Sequence, residues 1–318
     1  MQSSISSPHP LMQELSLSLL NSVEAQMFAS IRSSAPNSSL KMGVGRDAAE
    51  YHLHAGGQRV RTKIALQAGL AAGLSIADVV TIAAAVELLH NASLVHDDIQ
   101  DRDELRRGQQ AVWFRFGINT AICTGDLLLS AAYATLCKLE DSRVLAQMIL
   151  LVHERVSTAI DGQCADLKVT SETSTDGVVA AEQYQQIAIA KSGALLSLPL
   201  ELVLLASGQQ EYSSDARRAA EAFSVAYQIV DDLQDVQSDL RTGTAKCTYN
   251  VVSLFRTSCN LYQSIEKAKS FGLEKIDTAI RLTNRLPSNM GARLVDYALQ
   301  LRYVLSEYQP EAKIVEVE

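Results

Sequence analysis

Two clusters of carboxylates share one spacing. Asp97, Asp98 and Asp101 close the stretch ELLHNASLVHDDIQD, and Asp231, Asp232 and Asp235 close FSVAYQIVDDLQD. On an α-helix, residues four apart lie one above the other, so Asp97 and Asp101 share a face, as do Asp231 and Asp235. Like charges at that spacing cost an isolated helix about 0.2 to 0.5 kcal/mol per pair, and a hard divalent cation is the natural compensation. Mg²⁺ takes one or two carboxylates from a protein and fills its remaining positions with water and substrate phosphate oxygens. A single cluster reads equally well as a solvated acidic helix end with Arg102 and Arg106 as counter-ions. The second copy, again after an apolar helical run, argues for a cation site that both clusters serve.

Cations recur around these acids. Arg106 and Arg107 follow the first cluster, and GGQRVR sets Gly56 and Gly57 ahead of Gln58, Arg59 and Arg61. Glycines let the backbone approach a ligand closely, and arginine forks match phosphate oxygens. The same hexapeptide also reads as a helix C-cap followed by surface arginines. Lys191 and Ser192 interrupt a long apolar stretch, and a buried lysine must find an anion or give up its charge. Reaching out to solvent is the alternative for such a side chain. GQCADL sets Gln163 and Asp166 three apart and so on one helical face. Gln228 precedes the second cluster by about one turn, and Lys246 follows it. On the first acidic helix, Ala92 and Ser93 lie about one turn, ~5.4 Å, deeper than the acids, and Leu89 lies a turn deeper again. His90 faces the same region, where a lone histidine also reads as a satisfied core residue.

The elements that must position these residues read as helices throughout. Apolar residues recur at three- and four-residue spacing over about 11–31, 47–54, 62–73, 76–105, 118–139, 144–167 and 181–207, then from about 215 to the second acid cluster. Further amphipathic helices fill 251–308, with breaks expected at Ser270–Gly272 and Leu286–Gly291. No stretch alternates as a strand would, and no fixed-period repeat is visible. The economical reading is one all-α domain over 1–318, with a loose N-terminus to about residue 10 and an exposed tail from about residue 309.

Composition narrows the function. A formal charge of −8 argues against a nucleic-acid partner. Five cysteines lie scattered without a CxxC pair, as suits a reducing cytoplasm, and the start carries no basic and apolar leader. Ser192 to Gly208 is the most membrane-like stretch, but Pro199 and Glu201 interrupt it and it is shorter than a bilayer span, so it reads as a buried helix rather than a transmembrane segment.

Taken in order, GGQRVR, ELLHNASLVHDDIQDRDELRRG, GQCADL, KSGALL and YQIVDDLQD resemble the motifs of the trans-prenyl diphosphate synthases, over about residues 15–308. The resemblance implies the isoprenoid synthase fold, a helical bundle around a deep central cavity, in a homodimer. It implies three Mg²⁺ ions held by Asp97, Asp101 and Asp231, with Asp98 and Asp235 in support. It implies that Arg106, Lys191 and Lys246 hold an allylic diphosphate, and that Arg61, His90 and Arg107 hold isopentenyl diphosphate. Ser192 and Gln228 would lie along the reacting chain. Ala92 and Ser93, above Leu89, stand where the family sets product length. Short-chain members usually carry an aromatic there and this chain does not, so a product of twenty carbons or more is expected.

Two departures from the family pattern stand out. Gln58 replaces the usual lysine, and only VQSDLRTGTA separates Asp235 from Lys246, without the usual GK loop. Both imply weaker hold on isopentenyl diphosphate. They keep a second enzyme class in view, a terpene synthase or cyclase that ionises an allylic diphosphate without adding an isopentenyl unit. A non-catalytic subunit of a synthase and a purely structural helical protein complete the alternatives.

Overall fold

The computed structural model describes residues 10–32, 43–168, 177–242, 250–256 and 259–309. The chain divides into two compact units, Met1–Ile149 and Leu150–Glu318.

In the first unit the organising element is α4 (Ile76–Gln100), which packs against α1 (Pro10–Arg32), α3 (Val60–Ala71) and α6 (Ile118–Leu136), while α2 (Val44–His54) packs chiefly on α6. Ser75 starts α4, its hydroxyl accepting from the Asp78 N–H at 3.1 Å. From Val79 to Leu89 every residue of α4 is buried, so this is a core helix apolar all round rather than an amphipathic surface one.

The sequence pattern carries this helix to Leu105, but it ends at Gln100. A Schellman motif stops it: Arg102 adopts φ 58°, the Asp103 N–H reaches the Asp98 carbonyl at 3.0 Å, and the Asp101 N–H reaches Asp97 at 2.8 Å. Arginine is not the glycine or asparagine that usually marks such a stop, which is why the pattern gave no signal. A short hairpin follows, β1 (Leu105–Arg106) pairing antiparallel with β2 (Gln109–Gln110). Its two central residues, Arg107 and Gly108, have φ 53° and 77°, as a two-residue type I′ turn requires. The hairpin is pinned by Tyr51, whose hydroxyl donates to the Gln110 carbonyl at 2.9 Å, and the preceding turn by Trp113 Nε1, which donates to the Asp103 carbonyl at 2.8 Å. The short α5 (Val112–Phe116) leads into α6.

In the second unit, α7 (Leu145–Lys168) and α8 (Gly177–Ala188) precede a π turn (Ile189–Gly193), which runs directly into α9 (Ala194–Ala206). The long α10 (Ser213–Thr242) packs against α9, the π turn and α12 (Leu261–Thr283), with α11 (Val251–Phe255) and α13 (Ala292–Glu307) beside it. Glu201, buried in the apolar α9, is matched by a two-point pair with Arg155 at 2.7 and 2.8 Å and by the Ser197 hydroxyl at 2.6 Å. The break expected at Ser270–Gly272 is absent, since α12 runs through it. Gly272 instead permits close packing: a Cβ there would meet Leu305 Cδ1 at 2.7 Å. The break at Leu286–Gly291 is present as a 3₁₀ turn with positive φ at Ser288 and Asn289. Ile76–Gln100 and Ala180–Ala206 are long and apolar enough to cross a membrane by composition, yet 78% of each such window is buried within the protein.

One buried polar group bears on stability. His52 of α2 is 2% exposed, and its Nε2 has no partner among the described residues. Burial, with Arg107 and Arg106 adding to it, lowers its pKa to about 3. The unfolded chain takes up this proton near pH 6.5 and the folded chain does not, so stability falls as pH drops between those values, by up to about 1.4 kcal/mol per unit. A His52→Gln variant is expected to lose that part of the acid sensitivity. Urea denaturation at about pH 4 and pH 7 should then show a smaller difference in stability than in the parent protein.

Candidate active site

The first carboxylate cluster sits at the C-terminal end of α4. Asp98 is 1% exposed and its Oδ1 accepts from Arg106 Nε at 2.7 Å and again from Nη2. Burial raises the pKa of Asp98, and the paired guanidinium opposes that shift. Asp97 is half-buried and Asp101, the C-cap, is exposed, so these two present the more accessible face. The central acid therefore holds Arg106 in place.

The type I′ turn sends the next arginine elsewhere. Arg107 donates to the Gly56 carbonyl, and its guanidinium lies so close over Gly57 that a Cβ there would fall 2.6 Å from Cζ. Gly57 also has φ 133°, so both its conformation and its contact call for glycine. The two motifs separated in sequence, GGQRVR and RRG, are thereby joined. His90 lies in the same field: desolvation, then Arg61 and Arg107, hold its imidazole well below its usual pKa. Desolvation, then Arg59, likewise lowers Arg107. An arriving diphosphate would supply the negative charge that this set lacks. Gln58 is exposed at the rim of the same segment.

Deeper on α4, Leu89 and Ala92 are buried, and the Ser93 hydroxyl donates back to the His90 carbonyl at 2.8 Å. Beside the acids, α6 comes close to α4 at Gly125, where a Cβ would lie 2.2 Å from His96 Nε2.

In the second unit the π turn carries Lys191 and Ser192. Extra-residue turns of this kind bulge the backbone outward and recur at functional sites. Here the bulge meets α7 at Gly162, where a Cβ would stand 2.3 Å from the Lys191 backbone nitrogen. On its other side Gly193 meets Ser224 of α10. Lys191 Nζ then donates to Asp166 Oδ2 at 2.6 Å, so the anion that this lysine demands is the aspartate of GQCADL. Gln163 of that motif is buried with both amide atoms unpartnered among the described residues.

The second acid cluster lies within α10 and follows the logic of the first. Asp232 is 3% exposed and is consumed by the protein: Gln228 Nε2 donates to it at 2.9 Å and the Val251 N–H at 2.8 Å. Asn250 ties the start of α11 to the Asp232 carbonyl at 2.8 Å. Asp235 is exposed and Asp231 half-buried. Burial, with Asp232 and Asp235 adding to it, pushes Asp231 up to about 7. A carboxyl crowded in this way is one that a divalent cation would ionise, and its oxygens are the hard donors that Mg²⁺ selects. Among the described residues no three His, Cys, Asp or Glu side chains gather into a self-contained metal cage. Lys246 lies outside the described residues.

A family profile for polyprenyl synthetases matches residues 44–281. The chain belongs to the polyprenyl synthetase family. It is 32% identical to the short chain isoprenyl diphosphate synthase of Methanothermobacter thermautotrophicus over 60% of this chain, a match that spans 58% of that relative's own length. It is 30% identical to the geranylgeranyl diphosphate synthase of Methanosarcina mazei over 74% of each chain. Among solved structures, geranylgeranyl pyrophosphate synthetase from Pyrococcus horikoshii superposes with a TM-score of 0.76 at 25% identity, covering 94% of this chain and 99% of that one. The corresponding enzyme of Geoglobus acetivorans gives 0.73 at 25% identity, covering 90% and 98%. The all-α isoprenoid synthase fold expected from the sequence is therefore the fold of this chain.

Several residues that shape the family's motifs here escaped the sequence reading. Glu87 drew no role, although a carboxylate inside an apolar run demands a partner. Asp232 reads in the sequence only as one more acid of its cluster, and Gly162 gives no signal, because their duties, holding α11 and admitting the bulge, depend on packing. Gly162→Ala is expected to push the π turn away from α7 and weaken the Lys191 to Asp166 pair. Any turnover that uses Lys191 should fall by tenfold or more, on the order of one misplaced charge-assisted contact, while far-UV circular dichroism stays that of a helical protein.

Proposed function

We propose that the protein is a head-to-tail trans-prenyl diphosphate synthase that condenses isopentenyl diphosphate with an allylic diphosphate. One observation carries this reading over that of a terpene cyclase. The Arg106–Arg107 turn serves two separate polar sets, one anchored to the Asp98 carboxylate and one to the Gly56–Gly57 backbone beside Arg61 and His90. An enzyme that only ionises an allylic diphosphate needs one diphosphate site. A condensing enzyme needs two.

In this reading Asp97, Asp101, Asp231 and Asp235 hold Mg²⁺, which family membership supports. Bound there, the ions would neutralise charge that develops on the departing diphosphate. Arg106, Lys191 and Lys246 bind the allylic diphosphate, with Asp98 and Asp166 orienting the first two. Gln58, Arg61, His90 and Arg107 bind isopentenyl diphosphate. As the allylic carbon–oxygen bond breaks, the double-bond electrons of isopentenyl diphosphate form the new carbon–carbon bond. The proton lost from that unit passes to the released diphosphate. Ser192 and Gln228 direct their oxygen dipoles along the reacting chain. The small Ala92 and Ser93, above Leu89, leave room for a product of twenty carbons or more.

The enzyme acts as a homodimer in the cytoplasm on this reading. The exposed apolar residues Phe114, Ile118 and Ile122 offer a surface for the second copy, and the exposed thiols Cys123, Cys137 and Cys164 suit a reducing compartment.

Incubation with Mg²⁺, an allylic diphosphate and labelled isopentenyl diphosphate should place label in a longer diphosphate. Hydrocarbon without incorporated label would instead identify a cyclase, and no turnover with any allylic primer would leave the non-catalytic subunit. Ala92→Phe should shorten the product by one or more isoprene units, read by chromatography of the dephosphorylated alcohols. An unchanged length would place the cavity floor elsewhere.

A further inference from the structure

GGQRVR contains two arginines, and the structure separates their duties. Arg59 is withdrawn from solvent. Its Nη1 donates to Glu87 Oε1 at 3.0 Å, and its Nη2 to Glu24 Oε1 at 3.1 Å and to the Leu53 carbonyl at 3.4 Å. Glu87 is 1% exposed and fully engaged: Thr62 Oγ1 donates to Oε2 at 2.7 Å, and Asn91 Nδ2 reaches Oε1 at 3.4 Å and the Glu87 carbonyl at 2.8 Å. Both Nη nitrogens are held in this way and Nε is buried without a partner among the described residues, so the guanidinium is committed to the protein interior rather than to an arriving phosphate.

The backbone at Arg59 explains what the anchor is for. Arg59 stands at φ 54°, ψ 38°, immediately before the first turn of α3. A side-chain-bearing residue adopts that left-handed conformation only when its surroundings enforce it. The conformation turns the chain between Gly57, which carries Arg107, and α3, which carries Arg61. Gln58 is the residue at the apex.

We propose that Arg59 is a positioning residue for the isopentenyl diphosphate site. Clamped to Glu87, Glu24 and the Leu53 carbonyl, it imposes the left-handed turn that sets Gln58 and Arg61 relative to Arg107. This rests on the function proposed above, because it presumes that Gln58, Arg61 and Arg107 bind isopentenyl diphosphate.

Removing one partner of a buried ion pair leaves an uncompensated charge, whereas removing both does not. The test therefore compares R59Q, E87Q and the double variant R59Q/E87Q by thermal melting, by steady-state kinetics for each substrate, and by calorimetric titration of isopentenyl diphosphate. Each single variant should melt lower than the parent and bind isopentenyl diphosphate more weakly. In the double variant the melting temperature should largely recover. Its KM and Kd for isopentenyl diphosphate should stay raised by about tenfold, the size of one lost charge-assisted contact, with the KM of the allylic diphosphate unchanged. Parental affinity for isopentenyl diphosphate in the stable double variant would overturn the positioning role alone. An equal rise in both KM values would overturn it too. A parent protein that neither binds nor incorporates isopentenyl diphosphate would overturn this proposal together with the function on which it rests.

Discussion

Carboxylates grouped at the end of an apolar helix repel one another and resist desolvation, and much of this structure answers that constraint. Each cluster resolves it in the same way. The middle acid is buried and given to the protein: Asp98 to the Arg106 guanidinium, Asp232 to Gln228 and the first N–H of α11. The outer acids share the helix face that stays more accessible. A DDxxD sequence thus contains two functions in one spacing. The i and i+4 positions present oxygens outward, and the i+1 position locks the neighbouring cation or helix that completes the surroundings. The high pKa of Asp231, about 7, follows from burial, with the like charges of Asp232 and Asp235 adding to it.

Departures from regular helix do the placing. The Schellman stop at Arg102 and the turn at Arg107 and Gly108 let adjacent arginines reach separate targets, Arg106 the Asp98 carboxylate and Arg107 the Gly56 carbonyl. The π turn at Ile189–Gly193 shifts Lys191 toward Asp166 while α8 and α9 keep their hydrogen bonding. The turn at Arg107 and the π turn each rest on a contact that only glycine permits, Gly57 under Arg107 and Gly162 under the bulge. Local strain is accepted where charged groups must be aimed, and it is offset by regular packing around it.

How far the sequence revealed this depends on the range of the interaction responsible. Helix positions and the core face of α4 were legible because they follow from spacing along one element. Lys191 was legible as a residue in need of an anion, though Asp166 could be named only from the fold. The end of α4 was misplaced by five residues, from Gln100 to Leu105, because arginine stands where glycine would announce a stop. Ser270–Gly272 was misread in the opposite sense, its glycine serving a helix contact rather than a break. Arg59 looked like a phosphate ligand for the same reason: composition shows a cation, and only burial shows that Glu87 already holds it.

The substitution at position 58 acquires a physical context from this arrangement. Around the Gly56–Arg61 segment lie Arg59, Arg61, Arg106 and Arg107, and burial, with their mutual repulsion adding to it, already lowers Arg107, His52 and His90. A lysine at the exposed apex would add one more positive charge to that field before any anion arrives. Gln58 retains a hydrogen-bond donor without the repulsion, at the expense of the stronger charge-assisted contact once diphosphate is bound. The buried clamp on Arg59 keeps the turn in its left-handed form, so the donor at the apex stays where the missing charge would have been.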